Sequence, residues 1–218
     1  MKPGVLMLAT CVMLSFVSCN KERISGNGNT ITETRNLSGF TAITATGSSN
    51  VYISKGNSFN VLVKGFSNLL SHYETKLVNG TLQLGFPKDV NVRHNNIEVY
   101  VTLPELTGIR TEGSGDINAT GDFTGNTQFD AVMEGSGNIN IQSGSTQNFY
   151  SVIEGSGNIR AIDMRAEKAE TNITGSGNTE ISASSTLKVK ITGSGNVYYR
   201  GTPVITTNIT GSGAVIPR

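Results

Sequence analysis

The sequence predicts an all-β protein, a parallel β-helix-like solenoid of coils about 18–22 residues long with looser coils toward its N-terminus. Three observations predict it. A glycine-serine-glycine phrase recurs at nearly fixed spacing, as GSGD at Gly113, GSGN at Gly135, Gly155, Gly175 and Gly193, and GSGA at Gly211. These copies start 22, 20, 20, 18 and 18 residues apart, and a degenerate GSSN stands at Gly47. The residues flanking each copy alternate apolar and polar, the period of a strand and not of a helix. Finally, no linker-like stretch divides residues 31–218, so a single domain must bury its apolar faces by stacking coil on coil.

The first segment directs the chain to the envelope. Lys2 precedes a thirteen-residue apolar run, Val5–Val17, too short for a membrane span of about 20 residues and suited to a signal-peptide core. Phe16-Val17-Ser18-Cys19 has the form of a lipobox, which makes residues 1–18 a lipoprotein signal peptide and Cys19 an acylated N-terminus. The alternative is an ordinary secretory signal cut at a small residue. Cys11 and Cys19 are the only cysteines, so the mature chain has neither a disulfide nor a thiol nucleophile. Residues 19–30, polar and glycine-bearing, read as a tether.

Within residues 31–218, Phe40–Gly56, Phe59–Gly65, Lys76–Phe86 and Asn96–Pro104 alternate as strands. Asn79-Gly80 is a hairpin signal between two apolar runs. Ser67–Thr75 carries the single helical turn expected. From Gly113 onward the columns become regular. Thr111, Met133, Ile153, Ile173, Ile191 and Ile209 stand two residues before each phrase. Ile117, Ile139, Ile159, Thr179, Val197 and Val215 stand four after its first glycine. Phe129, Phe149, Leu187 and Ile205 stand six before.

The phrase between the arms reads as a corner. Gly113, Gly115, Gly135, Gly137, Gly155, Gly157, Gly175, Gly177, Gly193, Gly195, Gly211 and Gly213 are expected to supply positive φ and close backbone approach. Asn138, Asn158, Asn178 and Asn196 suit the corner and can form ladders between coils, as can the serines. The phrase lacks the Lys-Ser/Thr and following helix of a phosphate loop. It also lacks the spacing of a nucleophile elbow. A calcium-binding coil would need an aspartate in every turn, and Asp116 alone occupies that place.

Phe40–Gly56, Tyr73–Phe86 and the GSGDIN and GSGNIN repeats together resemble the head GIN domain, or auto-transporter adhesin, family of bacterial lipoproteins. The resemblance covers roughly residues 31–215. It implies a right-handed parallel β-helix-like fold, an envelope location chiefly in Bacteroidetes, and no catalytic residues to carry over.

The residues themselves point away from catalysis and from nucleic acid. Removing residues 1–18 removes only Lys2 from 17 basic side chains, leaving 16 against 16 acidic ones. No basic stripe offers a phosphate backbone a footprint. His72 and His94 lie in unrelated segments, without metal-ligand spacing, and no cofactor or metal is expected. One acidic column stands out: Glu112, Glu134 and Glu154, continued by Thr174, Thr192 and Thr210. Carboxylates stacked about 4.8 Å apart would repel by about 3 kcal/mol at an effective dielectric of ~20. Splayed solvated side chains, a basic neighbour or a weakly held cation or sugar would each relieve this. The chain has no Trp for a glycan platform, and Tyr52, Tyr73, Tyr100 and Tyr150 are dispersed, with Tyr198 and Tyr199 on alternate faces. The expectation is a non-enzymatic adhesion or structural module, lipid-anchored in the cell envelope, with glycans or surface proteins as partners. An envelope polysaccharide-binding or polysaccharide-processing protein is the alternative.

Overall fold

The computed structural model describes residues 22–218, so the signal peptide and Cys19 lie outside the described residues. The chain runs through β1 (Glu22–Ser25), β2 (Thr30–Thr34), β3 (Ala42–Gly47), β4 (Asn50–Lys55) and β5 (Asn60–Phe66). A single helical turn, α1 (Ser67–Leu70), leads to β6 (Glu74–Val78), β7 (Thr81–Gly85), β8 (Val90–Arg93), β9 (Glu98–Leu103) and β10 (Gly108–Gly113). Long bent strands follow: β11 (Ile117–Gly135), β12 (Asn138–Gly155), β13 (Asn158–Gly175) and β14 (Thr179–Gly193). The last coil is split into β15 (Asn196–Arg200), β16 (Val204–Gly211) and β17 (Ala214–Pro217).

These strands make a β-solenoid. In one wall β7, β3, β10 and the second halves of β11 to β13 stack parallel and in register, continued by β14 and β16. In the other, β9, β4 and the first halves of β11 to β14 do the same, ending in β15 and β17. The glycine phrase joins the walls. Its first glycines form one ladder, Gly47, Gly113, Gly135, Gly155, Gly175, Gly193 and Gly211.

The ladder reveals an insertion. Gly47 stacks directly on Gly113, although 66 residues separate them in sequence. After β4 the chain turns to the N-terminal end, where it adds β7 and β9 to the two walls and builds a cap around them, and it rejoins the regular coils at β10. The cap contains the β6–β7 hairpin, whose Asn79 and Gly80 have φ of 49° and 74°, the left-handed pair that an Asn-Gly turn supplies. It also contains β5, antiparallel to β9 and β2, and α1, which buries Leu69 and Leu70. Antiparallel pairing here closes the N-terminal end of the apolar columns.

The core is the predicted set of columns. Ile117, Ile139 and Ile159 are fully buried, as are Met133, Ile153 and Ile191, while Phe129 stacks on Phe149 at 5.9 Å with nearly parallel rings. The shortening of the coils is absorbed away from the corner. Bulges between Ala119 and Asp122, and between Phe123 and Asn126, bridge the 22- and 20-residue coils. A second pair, between Ala161 and Arg165 and between Ala166 and Lys168, bridges 20 and 18. A strand can lose two residues without turning its faces over, because the side-chain period is two.

One segment differs from its sequence reading. Residues 22–30 are not a free tether. β1 pairs parallel with β8, the Gly26 amide donates to Arg93 O at 2.8 Å and the Asn27 amide to Asn68 Oδ1 at 2.9 Å. Ile24, the one apolar side chain in the segment, packs against the core and explains the docking.

Candidate functional site

The corner is the most repeated feature, and its amides hold one coil to the next. At each step the Ser and second-Gly amides donate to the first-Gly carbonyl of the preceding coil: Ser156 N and Gly157 N reach Gly135 O at 2.9 and 3.1 Å. The two glycines of a phrase differ in backbone conformation. Gly155 has φ of 133°, a conformation L side chains rarely adopt. Gly157 has no such φ. A Cβ there would run into the Gly137 carbonyl oxygen and approach the Met133 sulfur at 2.8 Å. A Cβ on Gly155 would likewise meet the Gly135 carbonyl oxygen, so close approach of the preceding coil requires both glycines and backbone handedness requires the first as well. Amides that already hold the neighbouring coil are not free to cradle an anion.

Beside the corner runs an Asx spine. The Asp116 amide donates to Asn50 Oδ1, and Asp116 Oδ1 accepts both the amide and Nδ2 of Asn138. Asn138 Oδ1 accepts from Asn158 Nδ2, and Asn158 Oδ1 from the amide and Nδ2 of Asn178. Asn178 then serves Asn196 in the same way, and Asn196 serves the Ala214 amide. The corner serines contribute no such ladder. Their side chains are exposed, and among the described residues no hydroxyl of Ser136, Ser156 or Ser176 has a bond within the protein.

The acidic column is in register as expected, Glu112 beside Glu134 beside Glu154 beside Thr174. A basic neighbour relieves its upper part. Arg110, two residues before Glu112 and therefore on the same face, donates from Nε to Glu112 Oε1 at 2.9 Å and from Nη2 to Glu134 Oε1. The hydrogen bond to Glu112 leads in raising the Arg110 pKa, against partial desolvation. Glu154 stands exposed. Among the described residues no three His, Cys, Asp or Glu side chains are grouped to hold a metal ion. His94 bonds Ser25 Oγ through Nδ1 at 3.0 Å, while His72 follows α1.

The structure gathers one pair of tyrosines that sequence distance hides. Tyr52 and Tyr100 face each other across β4 and β9, with ring centroids 5.1 Å apart and planes 19° apart. Tyr100 donates from its hydroxyl to Glu98 Oε2 at 2.9 Å, and Lys64 Nζ reaches the same oxygen at 3.0 Å. Lys64, then Tyr100, hold the Glu98 carboxyl below its usual range, and Glu98 in turn raises both partners. The outer column continues from Tyr52 through Asn118, Asn140 and Arg160 to Glu180 and Tyr198. Asn140 donates to Asn118, and Arg160 to Asn140. At its far end the Arg218 guanidinium lies 4.9 Å from the Tyr198 ring and bonds Glu180. The only sequence signal for this face was the strand alternation that turns these side chains outward.

Fold and surface together define a class: a β-solenoid rod whose repeated residues hold coil to coil and whose outer ladders face solvent. The chain belongs to the family described as "Putative auto-transporter adhesin, head GIN domain", whose model matches residues 39–203. Among solved structures it is similar to a "putative adhesin" from Bacteroides fragilis, at 23% identity and a TM-score of 0.76, covering 89% of this chain and 100% of that one. It is similar also to a "putative lipid binding protein" from Parabacteroides distasonis, at 24% identity and a TM-score of 0.64, covering 90% and 100%. A "putative adhesin" from Parabacteroides merdae follows, at 20% identity and 0.55, covering 90% and 99%. At these identities the likeness establishes the shared solenoid fold. No curated protein matches the sequence.

Proposed function

We propose that this chain is a lipid-anchored, non-enzymatic adhesion module of the cell envelope, a rod held by its N-terminal end and acting through its outer surface. The observation that carries the reading is the employment of the repeat. Corner amides, Asx side chains and Arg110 all serve coil-to-coil contacts, so the repeated residues build a rigid scaffold. The adhesin family and the lipobox at Cys19 support the same reading. Because β1 begins at Glu22, the chain from Cys19 reaches at most about 11 Å before it docks, which would hold the cap close to the lipid surface. Fatty-acid labelling tests the anchor: the wild type should incorporate label and Cys19→Ser should not. Label on Cys19→Ser would end the lipoprotein reading. Protease shaving of whole cells distinguishes a surface-facing from a periplasmic rod.

A specific observation favours a second reading, glycan contact on the outer ladder. Tyr100 is 38% exposed beside Lys64 and Glu98, and hydrogen-bonding side chains of Asn118, Asn140 and Arg160 continue the column. The two rings, however, cover each other's inner faces, which reduces the area a sugar could stack on. Binding to a panel of polysaccharides that falls with Tyr100→Ala would favour this reading over simple scaffolding.

A further inference from the structure

The two ends of the solenoid are finished differently. At the N-terminal end every outer strand carries charge: Glu22 and Arg23 on β1, Glu33 on β2, paired with Arg35 at 2.8 Å, and Glu74 with Lys76 on β6 at 2.7 Å. Charged side chains on an edge discourage another strand from pairing there. On the C-terminal coil β17 ends at Pro217 and is followed by Arg218, paired with Glu180, whereas β16 has no such guard. All eight residues of β16, VITTNITG, are exposed, none is charged, and Val204 is 73% exposed. Directly beneath, Leu187, Val189 and Ile191 are buried, so the apolar columns of the core end in the open at Ile205, Thr207 and Ile209. A solenoid normally closes such an end with a polar cap.

The geometry points to a second copy of this chain as the occupant, docked end to end through β16 in antiparallel register about Thr207. The segment Ile205-Thr206-Thr207-Asn208-Ile209 is close to a palindrome. A two-fold axis at Thr207 sets Ile205 against Ile209, Thr206 against Asn208, and Thr207 against itself. Inward residues then meet inward residues, and both apolar columns continue across the junction. Charge does not oppose the pairing. Lys188 and Lys190 lie one strand back, opposite Thr206 and Asn208. Their counterparts would be three strand spacings away, about 14 Å, beyond a Debye length of about 8 Å. A head-to-tail contact through β6 would instead face the Glu74–Lys76 pair and leave an open filament.

The symmetric dimer places the two N-terminal caps at opposite ends. Where Cys19 is acylated, the anchors would face away from each other and the pair would bridge two apposed lipid surfaces. That consequence rests on the lipid-anchor reading, whereas the self-association does not.

Cysteine cross-linking of the full chain tests the register. Thr207→Cys should give a disulfide-linked dimer on mild oxidation, because opposed residues stand about 4.5–5.5 Å apart at Cα, within the disulfide range of about 4.4–6.8 Å. Ile205→Cys alone should remain monomeric, its counterpart lying about 13 Å along the strand. Mixing Ile205→Cys with Ile209→Cys should restore the dimer, with wild type as the control for Cys11 and Cys19. Sedimentation equilibrium of the wild type should show twice the chain mass, and Ile209→Lys should halve it. A monomeric wild type, or equal cross-linking from Ile205→Cys and Thr207→Cys, would overturn the proposal. Neither readout depends on fatty-acid labelling, so failure here and failure of the anchor are distinguishable.

Discussion

Gly155, Ser156 and Gly157 show how three adjacent residues come to differ in cost. Gly155→Val forces an L side chain to φ of 133°, a strain of about 1–3 kcal/mol, and also drives it into the Gly135 carbonyl, so it should be the costliest of the three. Gly157→Val drives a side chain into the Gly137 carbonyl and the Met133 sulfur, an overpacking of about the same size. Ser156→Ala removes an exposed hydroxyl without a partner and should leave the melting temperature within error. Thermal melts of the three variants check the order, and a Gly157→Val protein that melts like wild type would refute the close-approach account. Thr179 predicts a change of opposite sign. It occupies a column otherwise apolar from Ile117 to Val215, it is fully buried, and its Oγ1 has no partner. Thr179→Val keeps the shape and removes an unsatisfied polar atom, so it should stabilise by about 1 kcal/mol in a denaturant titration. By contrast, the Ser151 and Thr171 hydroxyls bond each other at 2.8 Å, and replacing either alone would orphan its partner.

At the scale of the element, the Asx spine and the corner ladder divide the work of holding one coil to the next. Asn158 accepts two bonds from Asn178 and donates one to Asn138, so it couples β13 to both neighbours. Asn158→Ala should cost about 1–3 kcal/mol, chiefly because the Asn178 amide loses its acceptor. Asn158→Asp keeps the acceptor but cannot donate to Asn138 Oδ1, and should fall between wild type and Ala. Urea unfolding of the three forms measures this. An Asp variant as costly as Ala would show that the donated bond dominates.

At the scale of the molecule, stability should follow coils and not residues. Deleting residues 156–175 removes one period and joins Gly155 to Ser176, so the corner phrase and every column are preserved. That protein is expected to fold with native strand circular dichroism and a lower melting temperature. Deleting 156–174 instead shifts the downstream side chains by one position, exchanging core and solvent faces, and should abolish cooperative folding. Equal behaviour of the two deletions would contradict a register-locked solenoid. The insertion between Lys55 and Gly108 has no such freedom, since it closes the N-terminal end of the core.

The repeat from Gly113 to Gly213 was legible in the sequence because its information is local and periodic. Even spacing of Ile139, Ile153, Ile159 and Ile173 about fixed glycines defines a strand-corner-strand unit, and identical units can bury their faces only by stacking. The acidic column could be predicted for the same reason. What the periodicity does not contain is any contact between segments that differ. The stacking of Gly47 on Gly113, the Tyr52–Tyr100 pair, the docking of β1 on β8 and the reach of Arg110 to Glu134 each join segments by non-repeating pairings. Those pairings are chosen by which edges and apolar faces remain open once the coils have formed. The sequence by itself therefore determined the coil, its corner and its core columns. Tertiary structure alone decided the cap, the surface groupings and which end of the rod stays open, because these depend on what the stacked coils leave uncovered.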